Sequence, residues 1–132
     1  MPLLSWKPEY SVDEMELDSD HMKFFEILNT AYENVMSHQE VESATSKIDE
    51  LLELLRHHIS AEEQYLMENG YHDIDAHMAE HRQFMDNIEQ LKASQFDSNL
   101  NATKEMIVVL GDLILRHILI EDKKYQVALS IN

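Results

Sequence analysis

Four stretches of the sequence place apolar residues at steps of three, four or seven, which is the spacing of one face of an α-helix. The chain has only two glycines and two prolines, too few for the turns of a many-stranded sheet. Amphipathic helices joined by short loops pack most simply as an antiparallel up-down-up-down four-helix bundle, so we predict an all-α fold of this kind. The apolar positions are Phe25, Leu28, Tyr32 and Val35; Ile48, Leu51, Leu52 and Leu55; Ile74, Phe84, Ile88 and Leu91; and Ile107, Leu110 and Ile114.

The sequence also indicates where these helices begin and end. Residues 1–17 lack a clear period and are expected to form an N-terminal arm, with Asp18 as the N-cap of the first helix. A polar stretch around residues 37–40 is expected to end that helix. Gly70 is expected to end the second helix, because glycine readily adopts a left-handed conformation. Residues 93–99 are mostly polar and are expected to connect the third helix to the fourth.

The last part of the chain is less regular. The apolar pattern loosens after about Leu119, and a short final helix can begin at about Asp122. Gly111 lies inside the fourth helix, where glycine costs about 1 kcal/mol relative to alanine unless it allows close packing. We expect one domain over residues 1–132, with the bundle itself over about residues 18–120.

Charge and composition limit the partners of the chain. The 10 Lys and Arg against 26 Asp and Glu give a net charge of −16, so neither nucleic acid nor an anionic membrane surface is an expected partner. The absence of cysteine excludes disulfides and thiolate metal sites. No apolar run approaches about 18 residues and the N-terminus does not resemble a signal peptide, so we expect a cytoplasmic protein without membrane insertion. The acidic surface favours a monomer.

Each apolar stripe continues, at its own spacing, into polar residues that would point to the centre of the bundle. His58 and Glu62 are four residues apart, as are His77 and His81, so each pair shares one helix face. The inward polar positions are His21, His58, Glu62, His77, His81 and His117.

Asp122 follows His117 by five residues, which does not fit one straight face of an α-helix. It can join His117 only where the helix ends, bends or bulges, and the apolar pattern loosens near this point. The other three histidines, His38, His57 and His72, are expected at the surface.

The inward polar residues favour a metal site. A single inward histidine is more often a core residue with one hydrogen bond than a ligand. Five of them together with Glu62 would leave many buried polar groups unsatisfied, since no Lys or Arg lies on these stripes. Burying an unpaired carboxylate costs several kcal/mol, against a net stability of about 5–15 kcal/mol. Bound metal is the simplest explanation.

The number and type of these side chains indicate two ions. Five imidazoles and two carboxylates are too many ligands for one ion but suit two ions bridged by the carboxylates. Imidazole with carboxylate is compatible with iron, zinc, copper or manganese, so ligand type does not name the metal. No Glu-x-x-His motif occurs in the chain, which argues against a ferritin-like iron oxidase.

The same residues lie in four short motifs: His21 three residues after Asp18, His58-Ile-Ser-Ala-Glu62-Glu63, His77-Met-Ala-Glu-His81 and His117-Ile-Leu-Ile-Glu-Asp122. Together these motifs resemble the hemerythrin family, above all its single-domain bacterial members, over nearly the whole chain. The resemblance implies a non-haem di-iron site that takes dioxygen as its ligand.

The resemblance also implies a role for each ligand. Glu62 and Asp122 would bridge two iron ions (Fe²⁺ or Fe³⁺), together with an oxo or hydroxo group. His21 and His58 would hold one iron and leave one of its coordination positions open for dioxygen. The second iron would be completed by His77, His81 and His117.

Four residues at three places in the sequence depart from the family's pattern. Asp20 stands where a Gln commonly precedes the first ligand, and His72 stands where a Pro commonly follows Tyr71. These two differences are expected to affect only surface and loop details. Leu113-Ile114 stands where Trp-Leu commonly precedes the last histidine, which alters the shape of any pocket beside the metals.

Reversible oxygen binding needs a dry pocket that denies protons to the bound oxygen. Ile114 lies one turn before His117, and Leu110 lies one turn further back. We expect these two residues to line the oxygen pocket, together with Ile118 or Leu55. The alternative is that they are ordinary core residues.

The function expected from this site is reversible dioxygen binding, for carriage, storage or delivery to an oxygen-consuming enzyme. We expect a binding protein and not an enzyme, because an apolar pocket lacks an evident proton donor for turnover. The alternatives are a di-iron oxidase, peroxidase or nitric oxide reductase at the same site, or an oxygen or redox sensor. A sensor of this length would need a partner for its output.

Overall fold

α-Helices make up most of the computed structural model, which describes residues 3–38, 41–94 and 100–130. These ranges contain no β-strand, and none of their helices is long and apolar enough to cross a membrane. The prediction of an all-α fold with a short C-terminal helix is therefore confirmed. The helices are α1 (Met15–His38), α2 (Val41–Glu68), α3 (Ile74–Ser94), α4 (Leu100–Arg116) and α5 (Lys123–Ser130), with a 3₁₀ turn at Pro8–Tyr10 and a π-helical segment at His117–Asp122.

Neighbouring helices run in opposite directions. α1 packs against α2 and α4, and α3 packs against the same two helices. Between α2 and α3, Arg56 pairs with Glu89 while the earlier Asp49 pairs with the later Lys92, so the two chains run antiparallel. In the same way, the first half of α1 meets the second half of α2. This arrangement is the four-helix bundle expected from the stripes.

Two apolar clusters form the core. Most predicted stripe positions are buried in the larger cluster, whereas Tyr32, Leu91 and Ile74 are half-buried. The smaller cluster contains Val12, Leu17, Leu66, Tyr71 and Tyr125. Along the bundle, the inward histidines and carboxylates occupy positions between residues of the larger cluster and residues of the smaller one. The core is thus divided by a polar layer.

The start of α1 differs from the prediction. The helix begins at Met15, and the Glu14 carboxylate accepts the Leu17 N–H at 2.9 Å, so Asp18 is not the N-cap. Asp18 instead lies in the first turn, and its carboxylate accepts the Val12 N–H at 2.8 Å. The Asp18 side chain thus attaches the arm to the helix, and a contact of this kind could not be predicted from helix propensities.

The rest of the arm packs along α1 and α4. The backbone N–H and C=O of Leu4 both bond to the Asn29 side chain at 2.8 Å. A methyl group built on Gly111 would lie 3.4 Å from Leu3 and 3.7 Å from Leu4, in ordinary van der Waals contact. At the other end of the arm, Lys123 Nζ donates to the Ser11 carbonyl at 2.6 Å, which joins the arm to α5.

The other predicted helix ends are partly settled. Gly70 follows α2 with φ +66°, as expected of a glycine after the last turn. Of the predicted break at residues 37–40, the first two residues belong to α1 and residues 39–40 lie outside the described ranges. The predicted connection at 93–99 likewise begins inside α3, and residues 95–99 are not described.

Candidate metal centre

The seven residues that the sequence predicts as metal ligands lie together in the polar layer. They form two overlapping groups, in each of which one ligand atom per residue lies within 4.8 Å of the others. Glu62 and Asp122 belong to both groups. The three-histidine group adds His77, His81 and His117, and the two-histidine group adds His21 and His58.

Helical geometry explains most of this convergence. His58 and Glu62 lie on successive turns of α2, and His77 and His81 lie on successive turns of α3. The five-residue separation of His117 and Asp122 falls in the π-helical segment, whose wider turn bonds residues i and i+5. The interruption expected near Leu119 is therefore a π-helical turn, and it places Asp122 on the same side as His117.

The polar layer is almost completely shielded from water. Its two carboxylates are 0% exposed, and His117, the most accessible of the seven, has a side chain 11% exposed. Among the described residues, the ion-pairing partners of Glu62 and Asp122 are all imidazoles. Without a bound cation, protonated histidines would be the only positive charges that pair with these two carboxylates in the described part of the chain.

The Asp122 carboxylate lies close to three imidazoles without forming a hydrogen bond to any of them. Its Oδ1 lies 3.2 Å from His117 Nε2 and 3.4 Å from His77 Nε2, and its Oδ2 lies 3.3 Å from His21 Nε2. Despite these distances, both oxygens are buried without a hydrogen bond in the described structure, as is His21 Nδ1. Unsatisfied buried acceptors call for an explanation, and a cation between them and the imidazoles supplies one. The residues fit a pair of metal ions.

Glu62 faces both groups with separate oxygens. Its Oε1 lies 2.8 Å from His77 Nε2 and 2.9 Å from His81 Nε2, whereas its Oε2 lies 3.2 Å from His58 Nε2. Burial alone would raise the pKa of Glu62, but the hydrogen bonds from these three imidazoles hold the pKa well below its usual range. The carboxylate is therefore ionised, and it presents one oxygen to the three-histidine group and the other to His58.

The carboxylates act on the histidines in return. Burial lowers the pKa of His58, but the carboxylates of Asp20 and Glu62 outweigh it and raise that pKa to about 9. For His77, Asp122 and Glu62 likewise outweigh burial and raise the pKa to about 10. Since metals bind neutral imidazole, loading the site must displace protons from these rings.

Two carboxylates outside the predicted ligand set contact the far nitrogens of two ligands. Asp20 Oδ2 lies 2.8 Å from His58 Nδ1, and Glu63 Oε2 lies 2.7 Å from His81 Nδ1. The expectation that the difference at Asp20 affects only surface details is wrong. Its position directly before His21 was the available signal, but the partner ring is 38 residues away in the sequence.

Tyr125 is a further residue that the sequence analysis missed. Its hydroxyl donates to Glu62 Oε2 at 3.2 Å, and the side chain is 1% exposed. The available signal was its place three residues after Asp122, one turn along the chain. Burial raises the pKa of Tyr125, so its hydroxyl stays protonated and remains a donor.

A small cavity lies beside the two-histidine group. Its volume is about 10 Å³, close to the smallest space that holds one water molecule. Leu55, Ile114 and Ile118 are among its lining residues, whereas Leu110 is buried but is not among them. The full lining is His21, Phe24, Leu55, His58, Ile59, Phe84, Ile114, His117 and Ile118. Apart from three imidazoles, the wall is apolar.

The remaining histidines lie apart from the centre. His57 and His72 are exposed, as predicted. The side chain of His38 lies outside the described part of the structure, so that prediction is not settled.

Known proteins resemble the chain over most of its length. The family profile described as Hemerythrin HHE cation binding domain matches residues 15–129. A bacteriohemerythrin of Clostridium acetobutylicum is 31% identical over 91% of this chain and 96% of its own, and one of Campylobacter jejuni is 32% identical over 82% and 81%. A myohemerythrin of Theromyzon tessulatum is 23% identical over 78% and 80%. The matched range contains every residue of the polar layer, and the chain belongs to the hemerythrin family.

Proposed function

We propose that the chain binds dioxygen reversibly at a di-iron centre held by the seven residues of the polar layer. The observation that carries the proposal is the sharing of Glu62 and Asp122 by two ligand groups beside a small, largely apolar cavity, which both histidines of the two-histidine group line but only His117 of the other group. Membership in the hemerythrin family supports iron as the metal and dioxygen as the ligand.

The two irons would differ in the number of histidine ligands that the protein supplies to them. The three-histidine group offers one more imidazole than the two-histidine group, so the latter has the less complete set of protein ligands. The cavity borders both histidines of that group. When bound, a ferrous pair supplies the two electrons that reversible dioxygen binding needs. We assign the two-histidine group as the place where dioxygen enters the coordination sphere.

The surrounding side chains favour binding over turnover. Leu55, Ile114 and Ile118 present only hydrocarbon to the cavity and exclude water from it. Tyr125 donates its proton to Glu62 and is not among the residues that line the cavity. An oxidase, peroxidase or nitric oxide reductase would need a proton donor near the bound substrate. We therefore propose a binding protein that delivers its dioxygen to an oxygen-consuming enzyme.

Oxygen cycling of the iron-loaded protein tests this function. The full chain is loaded with ferrous iron without oxygen, exposed to oxygen and then deoxygenated while its visible spectrum is followed. A charge-transfer band that appears with oxygen and disappears on deoxygenation is the expected result. Irreversible conversion to a ferric form, or catalytic turnover with peroxide, would contradict the proposal.

Adjacent histidines provide a matched control. His58→Ala removes an imidazole of the two-histidine group, whereas His57→Ala changes an exposed side chain next to it. We expect His58→Ala to lose the oxygen-dependent band and His57→Ala to keep it. Loss of the band in both variants would show that the substitutions act through the fold and not through the site.

A further inference from the structure

In each ligand group, a carboxylate from outside the group contacts Nδ1 of one imidazole, the ring nitrogen that faces away from the predicted metal site. Asp20 contacts Nδ1 of His58 at 2.8 Å in the two-histidine group, and Glu63 contacts Nδ1 of His81 at 2.7 Å in the three-histidine group. Asp20 is 21% exposed and Glu63 is 19% exposed, so both carboxylates are mostly shielded from water. Neither residue belongs to the predicted ligand set.

The contact fixes which nitrogen of His58 is available to a metal. A neutral imidazole, the form that binds a metal, must carry its lone pair on Nε2 when it donates its Nδ1–H to a carboxylate. His58 Nε2 faces the polar layer, 3.2 Å from Glu62 Oε2. An anionic acceptor on the far nitrogen also makes the imidazole a stronger electron donor than a neutral acceptor would. A stronger donor favours ferric over ferrous iron.

The two carboxylates differ in their relation to the cavity. His58 lines the cavity, and His81 is not among the lining residues. The Asp20 contact therefore acts on an imidazole beside the space where dioxygen would bind. The Glu63 contact is chemically matched but acts on the other ligand group.

We propose that Asp20 is a positioning residue that fixes the orientation and tautomer of His58 and lowers the midpoint potential of iron in the two-histidine group. The inference rests on the proposed di-iron function. It adds a residue that determines how readily this iron is oxidised, and it assigns that role to a side chain outside the coordination sphere.

Asp20→Asn removes the negative charge but keeps the hydrogen bond, because the amide oxygen still accepts the Nδ1–H of His58. Iron content and the midpoint potential of the iron-loaded full chain are measured for the wild type and for this variant. We expect unchanged iron content and a ferric preference weakened about tenfold, which raises a one-electron potential by ~59 mV. An unchanged potential with full iron content would overturn the proposal.

Three further variants exclude a merely structural role. Asp20→Ala removes charge and contact together and is expected to weaken iron binding about 10- to 100-fold. Asp20→Glu keeps the carboxylate and is expected to retain a lower potential than Asp20→Asn. Glu63→Gln makes the matched change in the three-histidine group and is expected to raise the potential of the other iron. If all Asp20 variants keep the wild-type potential and differ only in stability, the proposal is wrong.

A second measurement does not depend on iron. In zinc-loaded protein labelled with ¹⁵N in histidine, NMR reports which nitrogen of His58 carries the proton. We expect an Nδ1–H in the wild type and in Asp20→Asn, and loss of its downfield-shifted signal in Asp20→Ala. If the wild-type protein takes up no iron, the proposed function fails, whereas an Nε2–H tautomer of His58 overturns the inference alone.

Discussion

His117 Nε2 lies 3.2 Å from Asp122 Oδ1 although the two residues are five positions apart, because a π-helical turn connects them. Asp122 lies in this turn and belongs to both ligand groups. Its neighbour Glu121 is also acidic, but it pairs with the exposed Lys124 at 3.2 Å and belongs to neither ligand group. The two residues therefore form a matched pair for testing the shared carboxylate.

Asp122→Ala should impair both metal sites at once. The variant removes a ligand from each group, so we expect less than one iron per chain under conditions that give two in the wild type. Glu121→Ala should keep both irons. The measurement is metal content after gel filtration, with helicity followed by circular dichroism. Retention of two irons by Asp122→Ala would exclude a bridging role.

The metal-free protein should lose stability as pH rises above about 6.5. Hydrogen bonds and charge raise the pKa of His58 to about 9 and that of His77 to about 10, from 6.5 in the unfolded chain. The folded state therefore binds more protons between these values, and the free energy of unfolding falls with pH by up to ~1.4 kcal/mol per pH unit for each histidine. Urea unfolding of the metal-free protein at pH 6 to 10 measures this loss.

The acidic side of the profile has the opposite sign. The pKa values of Glu62 and Asp122 are lowered in the folded state, so their contribution is present above pH 4.5 and is lost as pH falls further. The metal-free protein should be most stable between about pH 4.5 and pH 6.5. A profile that is flat from pH 6.5 to 10 would contradict the proposed pairing.

A polar group in the cavity should speed autoxidation of the oxygenated protein. Ile114→Thr places a hydroxyl in the wall of the cavity, where it can donate a hydrogen bond to bound oxygen. We expect autoxidation to be about tenfold faster, a change of ~1.4 kcal/mol in the barrier. The decay of the visible band at constant oxygen gives the rate.

Leu110→Thr is the matched control for that experiment. Leu110 is 1% exposed on the same helix but does not line the cavity. Both threonine variants should lower stability by a similar amount, about 2–3 kcal/mol. Equal autoxidation rates in the two variants would remove Ile114 from the oxygen pocket.

The two glycines should respond to alanine in opposite directions. A methyl group at Gly111 meets Leu3 at 3.4 Å without a clash, so Gly111→Ala should stabilise the fold by about 0.5–1 kcal/mol through helix propensity. Gly70 has φ +66°, so Gly70→Ala should destabilise it by about 1–2 kcal/mol. Urea unfolding under one buffer condition measures both, and a destabilising Gly111→Ala would show that the arm cannot adjust.

The bundle and the convergence of the polar layer could be predicted because both follow from local periodicity. His77 and His81 share a face in any α-helix, whatever surrounds them. Their role as iron ligands stays a prediction that metal analysis must test. The roles of Asp18 and Asp20 could not be predicted, because each depends on a partner from another segment of the chain. Leu110 lies on the same helix face as Ile114 but one turn further from the cavity, and how far the cavity extends along the helix depends on packing that the sequence does not show.

Metal binding in the polar layer between the two apolar clusters would couple metal supply to the lifetime of the protein. Its seven residues come from four helical segments that are far apart in the sequence. Two metal ions bound to these residues would therefore cross-link the whole bundle. A ligand that binds only the folded state at 100 times its dissociation constant adds ~2.7 kcal/mol of stability. Chains that acquire iron would thus unfold and be degraded more slowly than chains that do not. The abundance of the protein would then follow the iron available to it, without a separate regulator.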